Sequence, residues 1–270
     1  MMQQTRKRSR LCPAAFFMML LASIEVRAID FYSIRLQDPA PTLVRIDSTT
    51  GAVTELADLP PMADVDLANV GLDLFAVNTE FGVQVNLFQL DPISGEVLST
   101  APVLLGGSQI FHAEGLAGGA GGLRIGFNPA AVTFSNRLGD LAPDGTITGD
   151  VFFCNPCDFD GLAEDADGTL FSLDVEPPVQ ETTFYQVDPA GTLNPVAGLD
   201  EDLGIFDLVV QGTDFWAIGG NRLLRIDRTT NTVAETVFLD GAFSGLAFSF
   251  LIFADGFESG DTSQWSARTP

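Results

Sequence analysis

Short apolar segments with a period of two dominate the chain, and this pattern predicts β-strands of about four to eight residues. The strands are separated by turn-forming residues, as in Asp91-Pro-Ile-Ser-Gly95 and Asp227-Arg-Thr-Thr-Asn231. After residue 28, no stretch of a dozen residues places apolar side chains at the helical spacing of 3.6. The pattern therefore predicts an all-β fold and argues against a helical solenoid.

One sequence unit recurs: an apolar strand ending in Asp, a tight turn with Gly or Asn, and another short strand. It occupies residues 43–53, 87–97, 184–193 and 223–233, and in degenerate form 138–147. A further strand pair precedes four of these units, at 66–77, 115–127, 161–173 and 207–218. Four short strands in about 45 residues, joined by Asp-Gly and Asn turns, are typical of a β-propeller blade.

The two ends of this repeat region complement each other. Residues 30–35 match the second strand of a blade and have no first strand before them, whereas 244–250 match a first strand and have no second strand after them. Together they would complete one blade and close the ring without a free sheet edge. We therefore predict a β-propeller of five four-stranded blades over 29–252. Six blades would need a further repeat hidden in 103–136.

The N-terminal 28 residues predict a secretory signal peptide. A basic segment at 5–10 precedes an apolar stretch at 11–23, and Val26-Arg27-Ala28 has the small residues that signal peptidase requires. The alternative, a retained membrane anchor, is disfavoured because the stretch is shorter than the roughly 20 residues that cross a bilayer. We expect a secreted, periplasmic or cell-surface bacterial protein with no later membrane span.

Two resemblances follow from these motifs. Residues 161–170 (Gly-Leu-Ala-Glu-Asp-Ala-Asp-Gly-Thr-Leu) and 43–51 (Leu-Val-Arg-Ile-Asp-Ser-Thr-Thr-Gly) resemble the blades of a broad group of secreted bacterial β-propellers. That group includes binding proteins and lactonases, so the resemblance implies an architecture more than an activity. Residues 253–266 resemble a C-terminal segment of secreted gammaproteobacterial proteins, which implies a sorting tag over 253–270. An acidic tail packed on the rim is the alternative.

Charge excludes some functions. The chain has 36 acidic and 13 basic residues, a net charge of -23, and no lysine follows Lys7. Nucleic-acid binding is excluded because it needs cationic side chains to replace condensed counterions. Schiff-base chemistry is also excluded after residue 7, because it needs the amine of a lysine.

Acidic residues open the first strand of several predicted blades, where the central channel would begin. They are Asp66, Glu114, Asp160 and Asp207, with Ser244 in the closing blade. Carboxylates from separate blades could hold Ca²⁺, which prefers oxygen ligands. Their registers differ, because Asp66 and Asp207 directly precede an apolar Leu while Glu114 and Asp160 stand two positions before theirs. Turn-forming acids that face solvent are therefore the alternative.

His112 is the single histidine and the one candidate general base. A hydrolytic triad would pair it with Ser108 or Ser244 and with Glu114 or Asp160, yet no Gly-x-Ser-x-Gly motif presents a nucleophile. A water activated by a channel-bound metal, with His112 as proton shuttle, is the better enzymatic hypothesis. A solvent-exposed loop histidine is the alternative.

Cys154 and Cys157 form a C-x-x-C pair in a predicted loop. We expect a structural disulfide, since a redox pair normally begins at a helix N-terminus and a zinc site needs further soft ligands.

These observations predict a monomeric, exported binding or interaction module for an unknown extracytoplasmic ligand or protein. The alternative is a calcium-dependent hydrolase of the lactonase or phosphoesterase type, and a passive structural role is a third possibility. The binding face would be the one where first strands begin, with its rim formed by the loops at 78–86 and 175–183.

Overall fold

A computed structural model describes residues 29–37, 40–62, 65–78, 84–129, 136–154, 161–176, 181–188, 191–199 and 207–249. These residues form an all-β, propeller-like structure without helices, as the period-two pattern predicts. No helix long and apolar enough to span a bilayer occurs among them. The predicted signal peptide at 1–28 and the predicted tail at 253–270 lie outside the described residues.

Two of the sheets are four-stranded antiparallel meanders. The first contains β4 (Val65–Val70), β5 (Asp73–Asn78), β6 (Asn86–Leu90) and β7 (Val97–Pro102). The second contains β14 (Gly161–Glu164), β15 (Leu170–Glu176), β16 (Glu181–Val187) and β17 (Leu193–Leu199). Each corresponds to one predicted repeat.

A third sheet is a meander with a small extension. Its main strands are β10 (His112–Gly119), β11 (Gly122–Asn128), β12 (Asn136–Leu141) and β13 (Thr146–Cys154). The short strands β8 (Leu104–Leu105) and β9 (Ser108–Gln109) form a hairpin, and β8 pairs with β13 in parallel. The Gly-rich region thus contributes one meander and this hairpin in the described residues.

The fourth sheet is six-stranded and joins the two ends of the repeat region. Its order is β18 (Asp207–Gln211), β19 (Asp214–Asp227), β20 (Thr232–Phe248), β1 (Asp30–Leu36), β2 (Thr42–Asp47) and β3 (Val53–Asp58). The first part of β20 pairs with β19, as in Thr232 opposite Asp227, and its last part pairs with β1, as in Phe248 opposite Phe31. The expected pairing of the chain's ends is therefore present.

Five inner strands surround a central channel: β4, β10, β14, β18 and the last part of β20. Each contacts the next in that order, and β20 contacts β4. Three consecutive residues from each strand line a narrow cavity of about 70 Å³. Such a channel leaves little room for a ligand, since pockets for small molecules are typically about 300 Å³ or larger.

Among the described residues, four apolar clusters hold neighbouring sheets together and a fifth lies within the six-stranded sheet. The Leu-Ala pairs of the inner strands explain their regularity. Adjacent strand residues point to opposite faces, so Leu and Ala of one pair enter different clusters. Ala68 packs in one cluster with Leu116, Ala117 with Leu162, Ala163 with Leu208, and Ala247 with Leu67. Leu246 packs in the fifth cluster, where Val209 takes the place of Ala.

The recurring Asp at the end of the third strand closes a turn. In Asp91, Oδ1 accepts hydrogen bonds from the N–H groups of Ile93 and Ser94, both at 2.8 Å. Asp47 and Asp227 make the same pair of bonds. The turn ends in a left-handed residue, which is Gly95 (φ 77°) in one turn and Asn231 (φ 55°) in another. This geometry favours Gly and tolerates Asn, which explains the two residue types in the motif.

Candidate functional site

The upper face is defined here as the side on which the inner strands begin. The position directly before the inner-strand Leu is equivalent in all five strands, and it holds Asp66, Gly115, Gly161, Asp207 and Gly245. Glu114 and Ser244 stand one residue earlier. Of the four predicted channel-mouth acids, Asp66 and Asp207 thus occupy equivalent positions, Glu114 does not, and Asp160 lies outside the described residues.

Glycine fills the other three positions because the inner strands approach closely there. A Cβ on Gly161 would lie 3.0 Å from the Asp207 Cα, and one on Gly115 would lie 3.0 Å from the Leu162 amide nitrogen. Gly245 has φ of +66°, and a Cβ there would lie 2.7 Å from the Val65 carbonyl oxygen. The upper mouth therefore has space for few side chains, and two of them are carboxylates.

Asp207 ties three inner strands together. Its side chain is fully buried. Oδ2 accepts a hydrogen bond of 2.7 Å from the Leu246 N–H of β20, and Oδ1 accepts one of 2.7 Å from its neighbour Leu208. The Leu67 N–H of β4 also bonds to this carboxyl group. Burial raises the pKa of Asp207 well above its usual value, and these three N–H groups offset part of that rise.

His112 and Glu114 are brought together beside this mouth. Glu114 is buried, and its Oε2 lies 3.6 Å from His112 Nε2. A β-bulge produces this arrangement, because Ala113 pairs with Phe127 and Gly115 with Gly126, which leaves Glu114 as the extra residue. The candidate general base, His112, thus lies next to a candidate orienting acid, Glu114.

The metal prediction stays a prediction. In the described ranges, no group of three or more His, Cys, Asp or Glu side chains is placed to hold a metal ion. Both oxygens of Asp207 already accept backbone N–H groups. The calcium-dependent hydrolase consequently has no support from this geometry.

The cysteine pair lies at the edge of what the structure describes. Cys154 is the last residue of β13, opposite Asn136 in β12. Cys157 lies outside the described residues, so the disulfide stays a prediction. The loops at 79–83 and 177–180 on the expected binding rim also lie outside them.

A cavity larger than the central channel is on the opposite side, the lower face, where the inner strands end. We call it the interblade groove: a cavity of about 290 Å³ between the β10–β13 and β14–β17 sheets. Its lining residues are Arg124, Leu138, Gly149, Val151, Glu164, Asp167, Gly168, Thr169, Leu170, Gln186, Val187 and Asp188. Sequence reasoning placed the site on the upper face and missed this groove.

One part of the groove was recognisable as a turn. The segment Asp165-Ala-Asp167-Gly168 resembles the start of an EF-hand only superficially. The Gly168 N–H donates to the Asp165 carbonyl at 2.9 Å, and the Thr169 N–H donates to Asp167 Oδ1 at 2.9 Å. These bonds form a tight turn between β14 and β15, which holds Asp167 at the mouth of the groove.

Arg228 fixes the lower face between the β14–β17 sheet and the six-stranded sheet. Its Nη1 donates to Asp165 Oδ2 at 3.2 Å and to the Gly212 carbonyl at 2.9 Å. Its guanidinium lies 4.3 Å from the centre of the Phe171 ring and 5.1 Å from that of Phe215. Because one guanidinium contacts two aromatic rings, a carboxylate and a backbone carbonyl, it holds the turn at Asp165 and the turn at Gly212 in a defined position.

Three of the exposed large apolar side chains belong to one sheet. Four are exposed among the described residues: Leu72 (65%), Ile93 (76%), Leu98 (56%) and Phe238 (73%). Leu72, Ile93 and Leu98 belong to the lower end of the β4–β7 sheet, in its two turns and at the start of β7. We call these three residues the apolar patch.

Comparisons with known proteins indicate the fold alone. No protein-family model matches the chain, and no curated protein matches it. The chain is similar to a chain in the crystal structure of a nidogen/laminin complex, at 12% identity and a TM-score of 0.54, over 82% of this chain and 98% of that one. It is also similar to TolB from Acinetobacter baumannii (11% identity, TM-score 0.49, 82% and 66% covered) and to a Bacteroides caccae protein of unknown function (9%, 0.47, 78% and 73%). The nidogen/laminin similarity supports a propeller-like fold.

Proposed function

We propose that this chain is an extracytoplasmic β-propeller interaction module that binds a protein partner through its lower face. The observation that carries the proposal is the apolar patch of Leu72, Ile93 and Leu98. Each of these side chains is more than half exposed, whereas fifty other hydrophobic residues are buried among the described residues. Exposed apolar side chains at one end of a sheet suit a protein-binding surface.

The rigidity of the surrounding surface supports binding. The turn beside the patch is anchored to the neighbouring sheet, because the Tyr32 hydroxyl donates to the Pro92 carbonyl at 2.8 Å. Gly95 packs so closely on β3 that a Cβ would lie 2.8 Å from the Ala57 Cβ. Ile93 therefore projects from a fixed turn, which lowers the entropy cost of binding.

We further propose that the propeller has five blades. The long strands β19 and β20 would each supply two consecutive blade strands, so that the six-stranded sheet comprises two blades. The Arg228 N–H bonds to the Thr213 carbonyl at 3.0 Å, which supports a hairpin within β19. The five inner strands support the same count, as do the four clusters between sheets together with the one cluster inside the six-stranded sheet.

Export remains part of this proposal. A signal peptide at 1–28, a Cys154–Cys157 disulfide and a sorting segment at 253–270 would all suit an extracytoplasmic location. The strong acidity, at a net charge of -23, would favour a partner with a basic or neutral docking surface.

The experiment compares two surface variants of the mature chain. In the first, Leu72→Ser and Ile93→Ser remove two members of the patch; in the matched control, Phe238→Ser removes an equally exposed apolar side chain on β20, away from the patch. Each protein is photo-crosslinked in the secreted fraction of the bacterium that produces it, after circular dichroism has shown unchanged unfolding temperatures. We expect the wild type and the control to give the same protein adduct and the patch variant to lose it. Identical adducts for all three proteins would contradict the proposal.

A further inference from the structure

We propose that the interblade groove binds an organic cation that carries an ammonium or guanidinium group on an aliphatic chain. This inference goes beyond the proposed protein-binding function, because the groove lies between the β10–β13 and β14–β17 sheets and includes no residue of the apolar patch. The argument rests on the size of the groove, its charges and its apolar wall.

The apolar packing at this contact between sheets is sparse among the described residues. Its apolar cluster has five buried members, whereas the other four clusters have between nine and fourteen. Glycines leave the space: Gly149 (φ 63°) and Gly168 (φ 85°) line the cavity in conformations that other residues rarely adopt. A volume of about 290 Å³ exceeds what one water molecule or one bare ion requires by a wide margin.

The charges around the groove favour a cation. Three carboxylates line it: Glu164, Asp167 and Asp188. Arg124 is the one basic residue in the lining, and its Nη1 lies 3.0 Å from Asp140 Oδ1, so its charge is already balanced by an acid outside the lining. Hydrogen bonds from the Thr169 hydroxyl and N–H lower the pKa of Asp167, with a smaller contribution from the charge of Arg228, so this carboxyl group is ionised at neutral pH.

The apolar wall selects the kind of cation. Leu138, Val151, Leu170 and Val187 line the groove beside the carboxylates. Methylene groups pack favourably on such a surface while a charged end group reaches the acids, as lysine and arginine side chains do on protein surfaces. Ca²⁺ would instead require six to eight oxygen ligands, for which a wall with four aliphatic side chains is poorly suited.

Two sources can supply this chemistry: a small free amine, or the Lys or Arg side chain of a bound polypeptide. The test measures binding by isothermal titration calorimetry with 1,5-diaminopentane, with agmatine, and with a capped Gly-Lys-Gly peptide. The neutral 1,5-pentanediol and a peptide with norleucine in place of Lys serve as uncharged controls. Tighter binding of the Lys peptide would identify a polypeptide source, and tighter binding of the diamine or agmatine would identify a free amine.

Matched variants tie the binding to the groove. Asp167→Asn and Glu164→Gln remove charges from its lining. Asp144→Asn is the control, because Asp144-Gly145-Thr146 forms the same turn, with the Thr146 N–H donating to Asp144 Oδ1 at 3.0 Å, outside the groove. Comparable unfolding temperatures of the two Asp variants would show that any difference in binding is not a loss of folding.

We expect saturable binding of at least one cation, weakened about three- to tenfold by each groove variant, unchanged by Asp144→Asn, and weaker in 0.5 M salt than in 0.05 M salt. The Leu72→Ser, Ile93→Ser protein should bind the cation normally, which separates this site from the protein-binding patch. Absence of saturable binding, equal binding of the uncharged analogues, or equal effects of Asp167→Asn and Asp144→Asn would overturn the proposal.

Discussion

Replacing Asp207 tests the inner-strand arrangement most directly. In Asp207→Ala, the N–H groups of Leu246 and Leu67, which belong to two other inner strands, lose their acceptor. A buried N–H left without a partner costs about 1–3 kcal/mol, and relief from burying a carboxyl group offsets part of the sum, so we expect a net loss of about 2–4 kcal/mol. For a chain of this size such a loss lowers the melting temperature by roughly 5–15 °C.

The pH dependence of the free energy of unfolding tests whether burial of the Asp207 carboxyl group dominates its energetics. The pKa of Asp207 is raised in the folded state, so the folded protein retains a proton that the unfolded chain releases near pH 4. This contribution to stability is complete below the unfolded pKa and declines as pH rises through the folded pKa. Asp207→Asn cannot titrate, and the free-energy difference between wild type and this variant should therefore shrink from pH 5 to pH 8.

Urea denaturation at the two pH values measures that difference. An advantage of the wild type that grows with pH would refute the reasoning, since it would mean that the three N–H groups stabilise the carboxylate more than burial destabilises it.

Four further predictions follow from other contacts. Arg228→Met should lower the free energy of unfolding by about 1–3 kcal/mol, because it removes the contacts of Arg228 with aromatic rings and its hydrogen bonds. In guanidinium denaturation this loss should exceed that of Arg45→Met, since the ion pair of Arg45 with Asp30 is long, at 3.6 Å. Hydrogen bonds from Ser94 and Ile93 lower the pKa of Asp91. In urea titrations, wild type should therefore have a higher free energy of unfolding than Asp91→Asn above pH 4, and this difference should disappear as pH falls through the lowered pKa. The calcium prediction requires that Ca²⁺ raise the melting temperature and EDTA reverse the rise, and identical temperatures would refute it. The disulfide prediction requires that mass spectrometry of the mature protein find two thiols at Cys154 and Cys157 only after reduction.

The strands were predictable from sequence because their information is local. The short apolar segments within residues 66–77 and the turn at Gly71-Leu72 specify a hairpin irrespective of distant parts of the chain, and β4 and β5 form it. The pairing of β1 with β20 was also predictable, because each end lacked a strand that the repeat requires. In a repeat protein, a strand that is missing at each end of the repeat region predicts that the two ends pair.

The functional surface was less predictable because it depends on how sheets pack. The register of the upper mouth follows from close approaches at Gly115 and Gly161, which cannot be read from the acids alone. The interblade groove results from incomplete filling between two sheets, and the exposure of Ile93 depends on which neighbour its turn faces.

The pairing of β1 with the end of β20 also determines the order in which the molecule can be completed. The Ser33 hydroxyl donates to the Ser244 carbonyl across 211 residues of chain, so this contact cannot form until nearly all of the described residues have been synthesised. Contacts of such sequence separation form late and slow the overall folding rate. Until then the inner edge of β1 is an open template for another strand, and a chain shortened before residue 242 would keep that edge permanently. Aggregation during biogenesis should consequently depend more on the last strand than on any other part of the ring.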